Sequence, residues 1–119
     1  MISIIGLGNA ASRIAEKFKA TKNYNVYTLN SEVEKNSKYK FKLKSYETPE
    51  EYEQNIPNLK KFFSTTDEQI QFFVVGSSFS SNYSLGALEQ LKDKNVDVIY
   101  IQPDSELMTG VPKMLDKIV

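Results

Sequence analysis

The chain contains no cysteine and no histidine. Without cysteine, disulfides, thiolate nucleophiles and cysteine-ligated zinc are excluded. Without histidine, imidazole acid–base chemistry and the commonest metal ligand are gone. No apolar run approaches the roughly 18 residues of a membrane span. The opening "MISIIGLG" has no basic segment ahead of a long apolar stretch, so it does not read as a secretory leader. A cytoplasmic location is therefore expected, and a viral product acting in the host cytoplasm would carry the same features. Neither sign of charge dominates: 15 basic residues balance 15 acidic ones. Nothing global draws the chain to nucleic acid or to an anionic membrane, and neither is expected as a partner.

What is present suits one globular domain. The chain has 119 residues, 40% apolar and 25% charged, which is enough for one core and hardly for two. Met1–Ile5 is a short apolar run suited to a strand covered on both faces. Gly6-Leu7-Gly8 then turns the chain, and Ala11, Ile14, Ala15 and Phe18 fall at helical spacing, with Asn9 as the expected N-cap. Val26–Leu29 reads as a second strand. "YKFKLK", residues 39–44, alternates apolar and basic, as an edge strand guarded by lysines would. Thr48, Pro49 and Glu51 spell a helix start with a capping box. A short helix is expected over "NLKKFF", a strand over Ile70–Val75, and a helix carrying Leu85, Leu88 and Leu91 to about Asn95. A strand over Val96–Gln102 and a final helical segment over "VPKMLDKIV" complete the chain. Strands alternating with helices predict an α/β Rossmann-like three-layer domain. Its sheet should be mostly parallel, with about five strands in the order 3-2-1-4-5.

In such a sheet, ligands bind beyond the carboxyl ends of the strands, where the strand order reverses. The two loops richest in glycine and serine fall there: residues 6–11 and 76–82. "GLGNAA" fits G-x-G-x-x-A, the dinucleotide fingerprint, through Gly6, Gly8 and Ala11. The acid that such a site wants after the second strand is displaced: Asn30 and Ser31 come first, then Glu32. The second loop, "GSSFSSNYS", places five serines in eight residues between a strand and a helix. One or two would suffice to cap the helix, so the excess points to an anion. Seven tyrosines and seven phenylalanines could stack on bases. Phe62, Phe63, Phe72 and Phe73 nevertheless lie in predicted core elements, and core packing is their expected use. The adjacent basic and acidic runs, Lys35–Lys44 and Glu47–Glu53, read as solvated faces.

In order and spacing the chain resembles the tubulin/FtsZ nucleotide-binding domain. "NAASRI", Asn9–Ile14, stands where that family has "NAVNRM" at its first helix. "GSSFSSNYS" stands in place of the signature GGGTGTG, and "QPDSELMTG" in place of a loop of the type RPFxxEG. The resemblance implies that residues 1–119 form one nucleotide-binding domain without the family's second domain. It implies guanine-nucleotide phosphates held by Gly6, Gly8, Asn9 and Ala10 in the first loop. Gly76, Ser77, Ser78, Ser80, Ser81 and Asn82 would hold them in the second, with Glu106 near the ribose. GTP or GDP would be the ligand, with Mg²⁺ accompanying a triphosphate only. The signature loop keeps only Gly76, which weakens the case for close approach to phosphate. The family's hydrolytic acid lies in the missing domain, so the chain is expected to be at most a weak GTPase that acts by self-association. Two other readings stand beside this one: an NAD(P)-binding Rossmann module, and a ligand-free interaction or assembly protein.

Overall fold

The computed structural model describes residues 1–76, 79–103 and 112–114. Its centre is β1 (Ile2–Leu7), a strand buried from Ser3 to Leu7. Ile5 and Leu7 point into the larger apolar cluster, and Ile4 into the smaller one on the opposite face. Burying each such side chain contributes about 1.5–3 kcal/mol, which is why an unbroken apolar run sits at the middle of the sheet. β1 pairs in parallel with β2 (Tyr24–Asn30) on one side and with β4 (Gln69–Val75) on the other. β3 (Lys40–Lys42) adds in parallel outside β2, and β5 (Asn95–Pro103) in parallel outside β4. These five parallel strands run in the order 3-2-1-4-5, the expected arrangement.

Helices cover both faces, giving three layers. α1 (Asn9–Glu16) lies on one face and continues as a 3-10 turn through Ala20. The other face carries α2 (Pro49–Gln54), α3 (Lys60–Phe63) and α4 (Ser84–Glu89). α1 sits close to the sheet because its inward residues are small: Ala11, Ser12 and Ala15 are all buried. Phe18, from the 3-10 turn, packs edge-on against Tyr24 and beside Phe73.

The capping box at α2 is present in outline: Glu51 N donates to the Thr48 hydroxyl at 3.3 Å, and that hydroxyl bonds the Glu51 carboxylate at 3.1 Å. Phe63, Phe72 and Phe73 are buried as expected, while Phe62 is only half-buried.

Three sequence expectations are corrected. Residues 112–114, expected in a helix, form β6 (Pro112–Met114), antiparallel to the outer edge of β5. An edge strand leaves a row of backbone groups unpaired, and a segment returning beside it can take them; an edge position also tolerates proline. The remainder of that expected helix, and Val111, lie outside the described residues. The helix from Ser84 stops at Glu89, well before Asn95. Gln90 ends it by turning its side chain to neighbouring backbone: Oε1 accepts from Leu59 N at 2.6 Å and Nε2 donates to Pro57 O at 3.0 Å. Leu85 is not on the buried side but 80% exposed; Tyr83, Ala87 and Leu91 fill the core instead.

Candidate functional site

The strand order reverses between β1 and β4. Leu7 pairs with Val74, so the chain leaves both strands at the same carboxyl edge of the sheet. The 3-10 turn Phe79–Tyr83 also packs against β1.

The first turn is tighter than its sequence suggests. Gly6 belongs to β1, paired with Thr28 and Phe73, and the bend is confined to Gly8. A Cβ on Gly6 would come within 2.6 Å of the Ala11 carbonyl oxygen and 2.8 Å of the Ser12 Cα. Gly6 is thus demanded by the close seat of α1 on the sheet. Ser12 Oγ donates to the Gly6 carbonyl at 3.3 Å across the same contact. Gly8 has φ 93° and ψ 167°, a region essentially restricted to glycine. Each glycine therefore has a backbone reason to be there, and the two reasons differ.

Gly8, not Asn9, is the N-cap of α1, and no side chain caps it. The Gly8 amide donates to Leu29 O at 2.7 Å, and the Ser12 amide to Gly8 O at 2.9 Å. The amides of Asn9, Ala10 and Ala11 find no partner among the described residues. No acidic residue lies in this first turn, so the positive end of the helix is uncompensated. Asn9 directs Nδ2 toward Ser31 Oγ at 3.5 Å, while its Oδ1 is buried with no hydrogen-bond partner. A buried acceptor left without a donor costs about 1–3 kcal/mol. Ala10, in the first turn of α1, is exposed.

The second turn contributes less. The Gly76 amide is used within the sheet, donating to Ile101 O at 2.8 Å. A Cβ at Gly76 would overlap the Tyr100 hydroxyl, so this glycine makes room for a neighbouring strand's side chain. The serine-rich stretch is helical from Phe79 onward, and Tyr83 rather than a serine is the N-cap of α4. Ser81 and Asn82 are half-buried in that 3-10 turn. Ser80 lies in its backbone, while its side chain, together with Ser77, Ser78 and Glu106, falls outside the described residues. Tyr83, which reads in the sequence as a bulky intrusion, anchors the turn. It is 2% exposed, stacks edge-on against Tyr52 at 4.9 Å, and donates its hydroxyl to Lys44 O at 2.9 Å. Burial pushes this phenol up to about 12, with Tyr46 and Tyr52 adding to the shift.

Beside α1, beyond the end of β2, lies a polar hollow of about 250 Å³ that Asn9, Ser12, Thr28, Asn30 and Glu32 help to line. Asn30 Oδ1 accepts from the Glu32 amide at 2.9 Å, which fixes the bend after β2. Glu32 meets Arg13 at 3.6 Å with both side chains largely exposed, a pairing worth about 0–1 kcal/mol. The hollow's sequence signal was weak, because Asn30 and Glu32 are two residues apart and only the bend between them brings both to Asn9. Among the described residues no three carboxylates gather where they could hold a metal ion.

Comparison with known protein families, with curated proteins and with solved structures finds no match.

Proposed function

We propose that this chain is a nucleotide-binding domain of the tubulin/FtsZ-like kind, holding a guanine nucleotide in the crevice between β1 and β4. The observation that carries the reading is the open first turn of α1. Its three amides without a partner among the described residues and its unneutralised helix end lie at the carboxyl edge of β1, beside the point where the strand order reverses, and the unpartnered Asn9 Oδ1 belongs to the same turn. Phosphate oxygens would accept from the amides of Asn9, Ala10 and Ala11. A sugar hydroxyl is the donor that Asn9 Oδ1 lacks. The preference for guanine rests on the "NAASRI" resemblance. Turnover is expected to be weak or nil, because in the family that the chain resembles the hydrolytic acid comes from a second domain. Self-association is the accompanying proposal, and sedimentation with and without nucleotide tests it.

A second reading, an NAD(P)-binding module, is favoured by Glu32. It stands in the hollow beside Asn9, where a dinucleotide's adenosine ribose would bring its hydroxyls.

Thermal melting with GTP, GDP, NAD and NADP separates the readings. A ligand at 100 times its Kd adds about 2.7 kcal/mol to stability. A guanine-nucleotide site responds to GTP and GDP alone, and a dinucleotide site to NAD or NADP alone. A flat response to all four at millimolar concentration rejects both and leaves a ligand-free assembly domain.

A further inference from the structure

The end of the sheet opposite the crevice carries a second concentration of unusual chemistry. The segments leading into β3 and β4 enclose a hollow of about 540 Å³. Phe41 and Phe62, both half-buried and 5.5 Å apart, form its apolar wall. Lys38 and Lys61 stand on its rim with Asn36 and Asn58, and no carboxylate lines it among the described residues. Both asparagines spend their acceptors on backbone: Asn36 Oδ1 accepts from Lys42 N at 2.7 Å, and Asn58 Oδ1 from Lys60 N at 3.1 Å. Their Nδ2 groups remain as donors. Neither lysine enters an ion pair among the described residues.

A neighbouring hollow of about 340 Å³ shares Ser37 with the first. Lys19, Lys40, Tyr24 and Tyr39 line it, again with no carboxylate. In a chain with equal numbers of acids and bases, two adjoining hollows without an acid depart from an interspersed solvated surface. The walls are held in place from behind. Buried Tyr27 packs against both Tyr39 and Phe62, at 5.1 and 5.8 Å, and its hydroxyl donates to Thr65 O at 2.9 Å.

We propose that these two hollows form a binding site for single-stranded nucleic acid. Lysines on the rims would meet successive phosphates, and the aromatic walls would take unpaired bases. The alternatives fit less of what is there. An acidic peptide satisfies the lysines but meets the aromatic walls only where it happens to carry an aromatic side chain, whereas every nucleotide brings a planar base. A peptide adding as a strand beside β3 finds outward backbone groups already taken, since Ser37 N donates to Lys40 O at 2.8 Å and Lys42 N to Asn36. A duplex keeps its bases stacked away from Phe41 and Phe62.

The test is fluorescence anisotropy of a labelled oligothymidylate of about 15 nucleotides with the full chain at about 50 mM salt. Binding is expected in the range of about 1–100 µM, weakening steeply with added salt. The double variant Lys38→Glu/Lys61→Glu should weaken it by at least about tenfold, and Tyr39→Ala by about severalfold. All three positions are exposed, and unchanged melting temperatures would establish that the variants are folded. Ala10→Glu, at the other end of the sheet, should leave oligonucleotide binding intact, which keeps this result separate from the crevice proposal. The proposal is overturned by no binding at ~100 µM protein or by full binding in the folded double variant. Loss of binding in Ala10→Glu also overturns it. So does equal competition by polyglutamate, by the matching duplex or by free thymidine monophosphate.

Discussion

Gly6 and Gly8 stand two residues apart and answer to different constraints. At Gly6 a methyl group would press on the Ala11 carbonyl and the Ser12 Cα, both backbone atoms that cannot step aside. Gly6→Ala should therefore cost about 1–3 kcal/mol through overpacking. At Gly8 the backbone itself is the constraint, with φ 93°. Gly8→Ala should cost a similar ~1–3 kcal/mol through backbone strain. Denaturant unfolding of the two variants measures both, and a loss under about 0.5 kcal/mol in either would contradict the assigned cause. The same geometry disqualifies Gly8→Val as a probe of ligand binding, since it would disturb the fold first. The sequence pattern G-x-G made this turn legible. It could not say which glycine serves packing and which serves the bend, because that depends on the distance between Gly6 and a carbonyl five residues later. Nor could it show that Asn9 would lose the N-cap position to Gly8, since both residue types are good caps.

At the scale of single elements, the buried strands were the most legible. β1, β2, β4 and β5 each begin and end within two residues of the apolar runs that announce them. Burial on both faces leaves little freedom in such a run, whereas the short helices depend on neighbours the sequence does not reveal. α4 shows this: Leu85, Leu88 and Leu91 keep helical spacing, yet the helix is turned so that Ala87 faces inward and Leu85 faces water. Gly86 explains the turn, for a Cβ there would come within 2.6 Å of Ile56, which packs directly on the helix backbone. The serine-rich stretch reads as a loop between a strand and a helix, but from Phe79 it is a 3-10 helix, whose last residue, Tyr83, buries its ring. The element on which the nucleotide proposal rests is α1, and Ala10 offers a clean handle on it. A carboxylate at this exposed first-turn position interacts favourably with the helix dipole, by about 0.3–1 kcal/mol, while opposing a phosphate at the same place. Ala10→Glu should melt at or slightly above the wild-type temperature without ligand and lose the nucleotide-induced shift. A folded Ala10→Glu variant that keeps the full shift would move the phosphate away from α1.

Across the whole molecule, the sheet separates two kinds of surface: the crevice at the carboxyl ends of the strands, and the lysine-rich hollows toward the amino ends. Both are built around one core, whose pH response follows from its buried phenols. Tyr83 holds its proton up to about 12 in the folded state, whereas an unfolded tyrosine releases it near 10. Tyr27 is shifted in the same direction, chiefly by burial. The native state then binds more protons than the unfolded one above pH 10, so stability should be undiminished below that pH and fall as the pH rises toward 12. Tyr83→Phe should flatten this alkaline decline, and at neutral pH it should cost about 1 kcal/mol for the lost bond to Lys44 O. Unfolding curves taken between pH 8 and about 12 measure both effects.

The crevice claim is tested most directly by amide chemical shifts of the ¹⁵N-labelled chain as GTP is added. The account predicts that the amides of Asn9, Ala10 and Ala11 move first and farthest, in a saturable way, with the Asn9 side-chain amide moving with them. Saturable binding that leaves those four signals in place, or no shift anywhere at millimolar GTP, would contradict it.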